Sequence, residues 1–543
     1  QGTRSSNPPI WAVGPSFLAY RLTSAYYICF LHCFRVQKNR QAFSSTSASH
    51  MFQWTKPKPE LVEADLDKAV SRLVYDGMFG QTMMVLSTGP FLVAFALILG
   101  GSNKVIGVLA AVGPLSQMLQ IPAIFVVEGI RMRKVITVVT ATVSRSCLFA
   151  IAMLPWFAPE DYRVPFFLLF LACHYGIGAF AGCAFGSWLR DLVPVERMGK
   201  FFARRLTYST AAGAALSLLG GMAVDLYREH FTNPAGAYTI VFSIAGVAGL
   251  VSVFFMGSTP EPAMPKAEHV PLWELLARPF RDTNFRNLLT FLACWGAAVN
   301  FATPFFTVYM LRRIGLNMTW VLSLSVVSQI TNVLFFGVWR RLSDQFTNKS
   351  VLVFSVPLFF ISFLFWPFTT LPDRYILSIP LLIAIHVIAG MATAGVALCA
   401  NNLAMKTAPY GNGASYLAVN ALVSGIAATI SPVLAGFAAD WFEPYEVQLT
   451  LSFNDWTQEF AAWELPTIDL RGLDFVFLIA FLMGVYCFHR LLAVREEGEV
   501  TEQVLRQAFV GEVGRMVRQV SSVAGMRQIV SFPFAYLIGL KRK

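Results

Sequence analysis

The chain has 543 residues, of which 56% are hydrophobic and only 13% are charged. Soluble domains carry about 25% charged residues, so this composition excludes an ordinary soluble protein and indicates an integral membrane protein. The formal net charge of +11 does not indicate a nucleic-acid partner, because the basic residues lie between apolar runs rather than on one soluble face. None of the eight cysteines has the spacing of a metal site or a disulfide framework, so we expect no metal and no cofactor.

Residues 1–50 contain no Asp or Glu, include Arg4, Arg21 and Arg35, and end in a Ser-rich run. The first methionine is Met51. Two interpretations fit: a non-native extension that precedes a true start at Met51, which we favour, or an acidic-poor organelle transit segment. Residues 51–75 are polar and are predicted to form a cytoplasmic N-terminal segment.

Long apolar runs fill most of the remaining chain. About twenty apolar residues cross the hydrocarbon core of a bilayer, and we count roughly twelve such runs. They lie at 76–99, 104–127, 135–156, 164–189, 206–227, 237–256, 287–311, 319–339, 351–368, 375–405, 415–441 and 475–492. The sequence therefore predicts an all-α membrane protein with twelve transmembrane helices.

The distribution of Lys and Arg predicts the orientation. Alternate connections are basic, above all the loop around Arg133 and the charged stretch Trp188 to Arg205, which we interpret as a loop. Because basic loops stay in the cytoplasm, both termini are predicted to be cytoplasmic. Residues 257–286 form the longest inner connection and are rich in Pro, as in a linker. Residues 493–543 are predicted to form an amphipathic tail on the inner membrane surface.

The second part of the chain repeats the first at an offset of about 215 residues. The matching landmarks occur in the same order: Pro90-Phe91 with Pro304-Phe305, Glu128 to Ile136 with Asp344 to Leu352, Pro194 with Pro409, and LGGMAVD ending at Asp225 with LAGFAAD ending at Asp440. They predict two six-helix halves, 76–256 and 287–492, in parallel arrangement.

The stretch LSDQFTNKSVL from Leu342 resembles the loop L-x-D-R-x-G-R-K between spans 8 and 9 of the major facilitator superfamily, with Asp344 at its acidic position and Lys349 at its last basic one. It departs from that pattern at Gln345, Thr347 and Asn348. Together with the repeat, these residues make the chain resemble a bacterial-type permease of this superfamily. The resemblance implies that spans 1, 4, 7 and 10 line a central cavity.

Arg145 is the clearest candidate for a functional charge. It lies about ten residues, or roughly 15 Å, from the inner end of the third run, which places it near the midplane. A charge at this depth is costly, and it commonly marks a pathway or a site. It could bind an anion through its planar donors, or it could pair with backbone carbonyls of a neighbouring helix.

His174 and His386 occupy equivalent positions in the fourth and tenth runs. Two midplane imidazoles could bind a solute or relay protons, and each could equally be a hydrogen-bonded core histidine. The remaining candidates for solute binding are uncharged: Gln117, Gln120, Asn300, Thr303, Gln329 and Asn332. Interhelical hydrogen bonding is the alternative role for each of them.

Acidic residues are absent from the middle of every predicted span, so a carboxylate-driven proton symporter is not supported. Uniport, anion exchange and histidine-coupled transport stay open. The charged residues at helix ends are interpreted as gating residues, and Arg190-Asp191 is expected to reach the loop 128–134 as a latch. These gating candidates are Glu128, Arg131, Arg133, Arg190, Asp191, Asp344 and Lys349.

The resemblance implies a secondary active or facilitative transporter that moves a small organic solute, with anions as one candidate class, by alternating access. The alternative is a transport-inactive relative that acts as a sensor or assembly partner through its tail. We do not expect an enzyme, because the chain has no H-E-x-x-H sequence and no P-loop. We expect a monomer that spans the cell inner membrane several times with lipid as its partner, or an organelle membrane if residues 1–50 are a transit segment.

Overall fold

A computed structural model describes residues 63–264, 279–370, 373–408, 413–454, 461–496 and 507–515. The extension 1–50 and residues 51–62 of the segment 51–75 lie outside the described residues. So do the middle of the linker 257–286 and most of the tail 493–543.

Helices dominate the described residues. In the first half they are α1 Glu63–Ser87, α2 Gly89–Ile98, α3 Asn103–Gln117, α4 Gln120–Ile130, α5 Arg133–Phe157, α6 Glu160–Leu192, α7 Val195–His230 and α8 Ala235–Gly257. In the second half they are α9 Thr283–Val308, α10 Met318–Gln345, α11 Asn348–Leu364, α12 Ser378–Thr407, α13 Gly413–Phe442 and α14 Leu473–Leu492. A π-helical turn, Tyr309–Arg313, extends α9, and a 3-10 turn, Pro367–Thr369, follows α11.

Within the described ranges, 11 helical segments are long and apolar enough to cross a membrane. The pairs α1–α2 and α3–α4 each form one such segment, broken near Gly89 and Met118. The ninth predicted run forms α11, which has only 17 residues. The multi-pass character predicted from the sequence is confirmed, whereas twelve crossings and cytoplasmic termini stay predictions.

The interpretation of Trp188 to Arg205 as a loop is wrong. Helix α6 continues to Leu192 and α7 begins at Val195, so only two residues separate them. The charged side chains at Arg197 and Lys200 are exposed, while Phe201 is buried with Trp188. Arg197, Lys200 and Arg204 lie on the exposed face of the first turns of α7, and a hydropathy profile does not distinguish such an amphipathic helix end from a loop.

Most of the described helices pack within their own half. In the first half α1 packs against α7 and α8, and α5 packs against α6 and α8. In the second half α9 packs against α13 and α14, while α10 and α11 both pack against α12.

The expectation of an all-α chain missed a β-hairpin. Strands β1 Glu446–Asn454 and β2 Ala461–Arg471 pair in antiparallel fashion between α13 and α14. We call this end of the bundle the hairpin end. The opposite end, where α5 begins at Arg133, is called the basic end.

The described part of the tail, 507–515, is helical and packs against the second half. The ring of Phe509 stacks on Trp339 at 4.9 Å between centroids and contacts Phe354 at 4.9 Å. A carboxylate oxygen of Glu512 lies 3.3 Å from Arg341. The apolar side of this tail segment is therefore occupied by α10 and α11.

Candidate functional site

A cavity of about 680 Å³ lies within the first half. Its walls come from α1, α3, α5, α6, α7 and α8. Three of the predicted binding residues line it: Gln117, Arg145 and His174. Part of the predicted solute-binding set therefore borders one cavity, whose lining residues all come from one half of the repeat.

Asp76, the first residue of the first predicted apolar run, borders the cavity. Helix α1 begins thirteen residues earlier, at Glu63, so Asp76 lies inside the span and its side chain is buried. One carboxylate oxygen lies 2.7 Å from Nη2 of Arg205, and the other accepts a hydrogen bond of 2.6 Å from the hydroxyl of Ser252. A buried carboxylate needs such partners, and here both come from other helices of the same cavity.

Arg145 on α5 faces the same cavity. Its Nη1 donates a hydrogen bond of 2.6 Å to the carbonyl oxygen of Gly249 on α8. A Cβ at Gly249 would lie 3.0 Å from Cδ of Arg145, so the glycine provides room for the arginine stem. Arg145 therefore pairs with a backbone carbonyl of a neighbouring helix, which was the alternative to anion binding. Its guanidinium nevertheless borders the cavity and interacts electrostatically with Asp76.

The two histidines have different surroundings. Nδ1 of His174 lies 2.8 Å from the carbonyl oxygen of Ser144, and the Ser144 hydroxyl donates to the carbonyl of His174 at 2.6 Å. His386 bonds through Nδ1 to the carbonyl of Leu382 in its own helix, and its ring lies against Trp366. Only His174 borders the cavity, so the cavity does not unite the predicted pair.

The other uncharged candidates mainly form hydrogen bonds with groups of the helices. Asn300 and Thr303 bond to carbonyls of their own helix, and Asn332 donates to the carbonyl of Gly390 and the hydroxyl of Thr393 on α12. Gln120 donates to Gln117 across the break between α3 and α4, and Gln329 is exposed. Asn332 therefore has the interhelical geometry that was the alternative to solute binding.

At the basic end, Arg133 is the centre of a buried cluster. Its Nη1 lies 2.5 Å from a carboxylate oxygen of Asp191, and its Nη2 donates to the carbonyl of Pro262 at 2.9 Å. Glu261 accepts hydrogen bonds from the backbone N–H groups of Arg133 and Lys134 at 2.7 and 3.1 Å. The predicted reach of Asp191 to the loop 128–134 is present, and the cluster joins elements of one half.

The second half has a similar arrangement at the same end. Glu496 accepts a hydrogen bond of 2.7 Å from the backbone N–H of Lys349, and Lys406 lies 3.3 Å from its carboxylate. Glu261 and Glu496 thus accept hydrogen bonds from backbone N–H groups at the N-terminal ends of α5 and α11. These two helix starts correspond to each other in the sequence repeat.

The other gating candidates are less enclosed. Asp344 is exposed and lies 3.9 Å from Arg340 one turn earlier. Arg131 ends α4 in a left-handed conformation with φ 56°, and Arg190 lies 3.6 Å from Asp191 with its side chain exposed. Glu128 is half-buried near Cys183 on α6.

Close approaches between the two halves lie at the hairpin end. The carboxylate of Asp225 at the end of α7 accepts hydrogen bonds from the backbone N–H groups of Met318 and Thr319 at 2.9 and 2.7 Å. Lys104 at the start of α3 lies 3.6 Å from Asp440 at the end of α13. Helix α4, at the basic end of the second span, packs against α5 and α6 of its own half. The structure is therefore closed between halves at the hairpin end.

Within the described residues, no group of three or more His, Cys, Asp or Glu side chains is arranged to hold a metal ion.

Comparison with known proteins gives one family match. The model of the Major Facilitator Superfamily matches residues 77–432. A search of the curated proteins by sequence returned no match.

Solved structures share the fold at low sequence identity. A variant of the nucleoside transporter NupG has 13% identity and a TM-score of 0.61, covering 79% of this chain and 100% of that chain. A D-xylose-proton symporter has 14% identity and a TM-score of 0.54, covering 80% and 99%. A bacterial homolog of the human lysosomal transporter Spinster, inward-facing and unoccupied, has 13% identity and a TM-score of 0.52, covering 83% and 99%.

Proposed function

Because the chain belongs to the major facilitator superfamily and is a membrane-embedded solute transporter, we propose that it moves a small organic anion by alternating access. The cavity of the first half is its binding site in this proposal, and the cell membrane is its location. The observation that carries the proposal is the unequal number of cationic and anionic groups around that cavity.

Among the residues that the structure describes, three charged side chains border the cavity: Asp76, Arg145 and Arg205. The charges of Asp76 and Arg205 compensate each other in a contact of 2.7 Å. The hydrogen bond of Arg145 to Gly249 uses a neutral carbonyl and leaves the positive charge of Arg145 in excess. A guanidinium offers several donors in one plane, which suits a carboxylate or a phosphate group.

The size and the walls of the cavity fit a small organic molecule. Its volume of about 680 Å³ lies within the range of typical small-molecule pockets. Tyr175, Phe185 and Phe202 contribute aromatic surface to the lining. These walls favour a solute with an apolar body beside its anionic group.

Alternating access is supported by where the halves touch. The contacts of Asp225 and Asp440 close the hairpin end, and a transport cycle would break them while the basic ends approach each other. A ligand changes this equilibrium only through its different affinity for the two states. Arg145 lies on the wall of the cavity. We expect a bound anion to shift the equilibrium between the two states through its contact with this residue.

The alternative of a sensor that acts through its tail gains no support from the described tail residues. Phe509 and Glu512 contact α10 of the same chain, so these two side chains are already engaged. We therefore retain transport as the proposal.

The test is uptake of radiolabelled organic anions, cations and neutral solutes by proteoliposomes. We expect saturable anion uptake that Arg145→Gln lowers about ten-fold or more, because a hydrogen bond to a charged group contributes about 1.5–3 kcal/mol. Arg163→Gln is the matched control, since Arg163 pairs with Glu160 one turn away at the start of α6 and outside the cavity. Unchanged uptake by Arg145→Gln, or uptake of cations alone, would contradict the anion site.

A further inference from the structure

Apolar and polar residues alternate in the register of the β-hairpin between α13 and α14. Its register pairs Val447 with Leu470, Leu449 with Ile468, Leu451 with Leu465, and Phe453 with Trp463. The intervening pairs are polar or mixed, among them Glu446 with Arg471, Gln448 with Asp469, and Ser452 with Glu464. Because successive residues of a strand point to opposite faces, the described part of β1 has Val447 and Leu449 on one face and Glu446 and Gln448 on the other.

The described side chains of the first strand are exposed. Residues 443–450 are all exposed, and the exposed fractions of Val447 and Leu449 are 52% and 55%. Strand β2 meets the bundle at α14 and at the 3-10 turn Pro367–Thr369. An isolated two-stranded hairpin is marginally stable in water, so an apolar face of this kind needs a cover.

The base of the hairpin is fixed at the level of the helix ends. Gly472 alone connects β2 to α14, and its φ of +50° lies in the left-handed region that glycine tolerates. Arg471 lies 2.5 Å from Glu446 on β1, which links the two strands, and 2.9 Å from Asp469 on its own strand. The buried carboxylate of Asp469 also lies 3.7 Å from Arg313 at the end of the π-helical turn.

The apolar surface of α13 leads directly into the hairpin. Leu434 and Trp441 are exposed at 57% and 69%, and their spacing of seven residues places them on one side of α13; Tyr445, exposed at 53%, follows shortly after the helix ends at Phe442. Helix α13 is one of the candidate spans, so an exposed apolar stripe along it faces lipid. Trp and Tyr are enriched where a membrane protein meets the lipid headgroups.

We propose that the hairpin lies along the lipid surface at the hairpin end, with its apolar face in the boundary between headgroups and acyl chains. The lipid contact of α13 continues onto Val447 and Leu449, while the exposed side chains of Glu446, Gln448 and Thr450 face water. The hairpin then acts as a membrane anchor that belongs to the second half only. This assignment is independent of the proposed anion site.

The experiment uses the full chain in phosphatidylcholine vesicles. The variants Leu449→Cys and Thr450→Cys each receive an environment-sensitive nitrobenzoxadiazole label, and the wild-type protein supplies the background of its native cysteines. Both positions are exposed and adjacent, so the pair differs in the face that carries the label. We expect a blue-shifted emission at position 449, strong quenching by nitroxide-bearing lipids, and several-fold weaker quenching by iodide than at position 450.

Two results would overturn the anchor. Equal quenching of both labels by iodide would show that the hairpin stands in water. A label at position 449 that is shielded from both quenchers, together with disulfide cross-linking between Leu449→Cys chains, would show that a second copy of the chain covers the face. Val447→Cys, on the same face, provides an independent repeat of either result.

Discussion

At the scale of single residues, Glu261 combines two roles at the start of α5. It accepts hydrogen bonds from two backbone N–H groups, and its Oε1 lies 3.6 Å from Nε of Arg133. Burial raises the pKa of Glu261 above its ordinary value of 4.5, while the backbone N–H groups and the positive charge of Arg133 oppose that rise. Removal from water thus outweighs the favourable contacts of the charged form.

This shift predicts a pH dependence of stability. Because the folded state binds the proton of Glu261 more tightly than the unfolded state, its contribution is present below pH 4.5 and is lost as the pH rises through the raised pKa. Glu261→Gln should remove that contribution, so the difference in unfolding midpoint between the wild type and the variant should change across this window. Thermal unfolding in detergent at a series of pH values measures it.

The exposed Glu443 provides the control, since Glu443→Gln should follow the wild-type profile. Parallel loss of stability in the wild type and in Glu261→Gln across the window would refute the assignment.

Single residues also show what the sequence could and could not indicate. The depth of Arg145 followed from counting residues along an apolar run, and the structure places it on the cavity wall. Asp76 was missed because the charges at Asp67 and Lys68 end any span-length apolar window. The spacing of Leu66, Ala69 and Leu73, all buried, is the signal that extends the helix upstream.

At the scale of elements, the repeated sequence ends in two carboxylates that use different contacts. Asp225 bonds to the free N–H groups at the start of α10 and also to the hydroxyl of Thr319, where the helix dipole favours a negative charge. Asp440 instead meets the half-exposed Lys104 at 3.6 Å. A helix cap is worth more than an exposed ion pair, so we expect the α7–α10 contact to be the stronger closure.

Asp225→Ala should therefore open the hairpin end. Loss of a cap costs about 1–2 kcal/mol, which corresponds to a population change of roughly five- to thirty-fold. Spin labels on Glu229→Cys in α7 and Trp320→Cys in α10 should report a larger fraction of long distances by electron double resonance. Asp440→Ala should change the distance between α3 and α13 less than Asp225→Ala changes the distance between α7 and α10. A larger effect of Asp440→Ala would reverse the ranking.

The hairpin shows why an element of this size escapes a hydropathy reading. The alternation of Val447, Leu449, Leu451 and Phe453 is a period of two, which predicts a strand. A hydropathy window as long as a membrane span averages these apolar residues with the polar residues between them. The strand therefore does not appear as an apolar run. The sheet register, with its bulge between Leu449 and Thr450, depends on the pairing of both strands.

At the scale of the whole molecule, the sequence predicts two repeated halves but not the end of the bundle at which they are closed. Two states of one fold commonly differ by a few kcal/mol, a small fraction of the energy of packing. Which end of the bundle is closed depends on close contacts between the halves, such as that of Gly107 on α3 with Pro432 on α13. A Cβ added at Gly107 would overlap the carbonyl oxygen of Pro432. Gly221 on α7 likewise leaves room for Leu322 on α10, since its Cβ would lie 2.6 Å from Cδ1.

Gly107→Ala should consequently force the two halves apart at the hairpin end. A glycine-to-alanine change inside a helix otherwise stabilises by about 0.5–1 kcal/mol, so Gly113→Ala in the same helix is the matched control. Its Cβ would lie 3.9 Å from the ring of Tyr175, an ordinary contact. We expect Gly107→Ala to lower the unfolding midpoint or to lengthen the distance between spin labels on Ser102→Cys and Trp441→Cys, whereas Gly113→Ala changes neither adversely. The same distance and midpoint in both variants would mean that this contact does not hold the halves together.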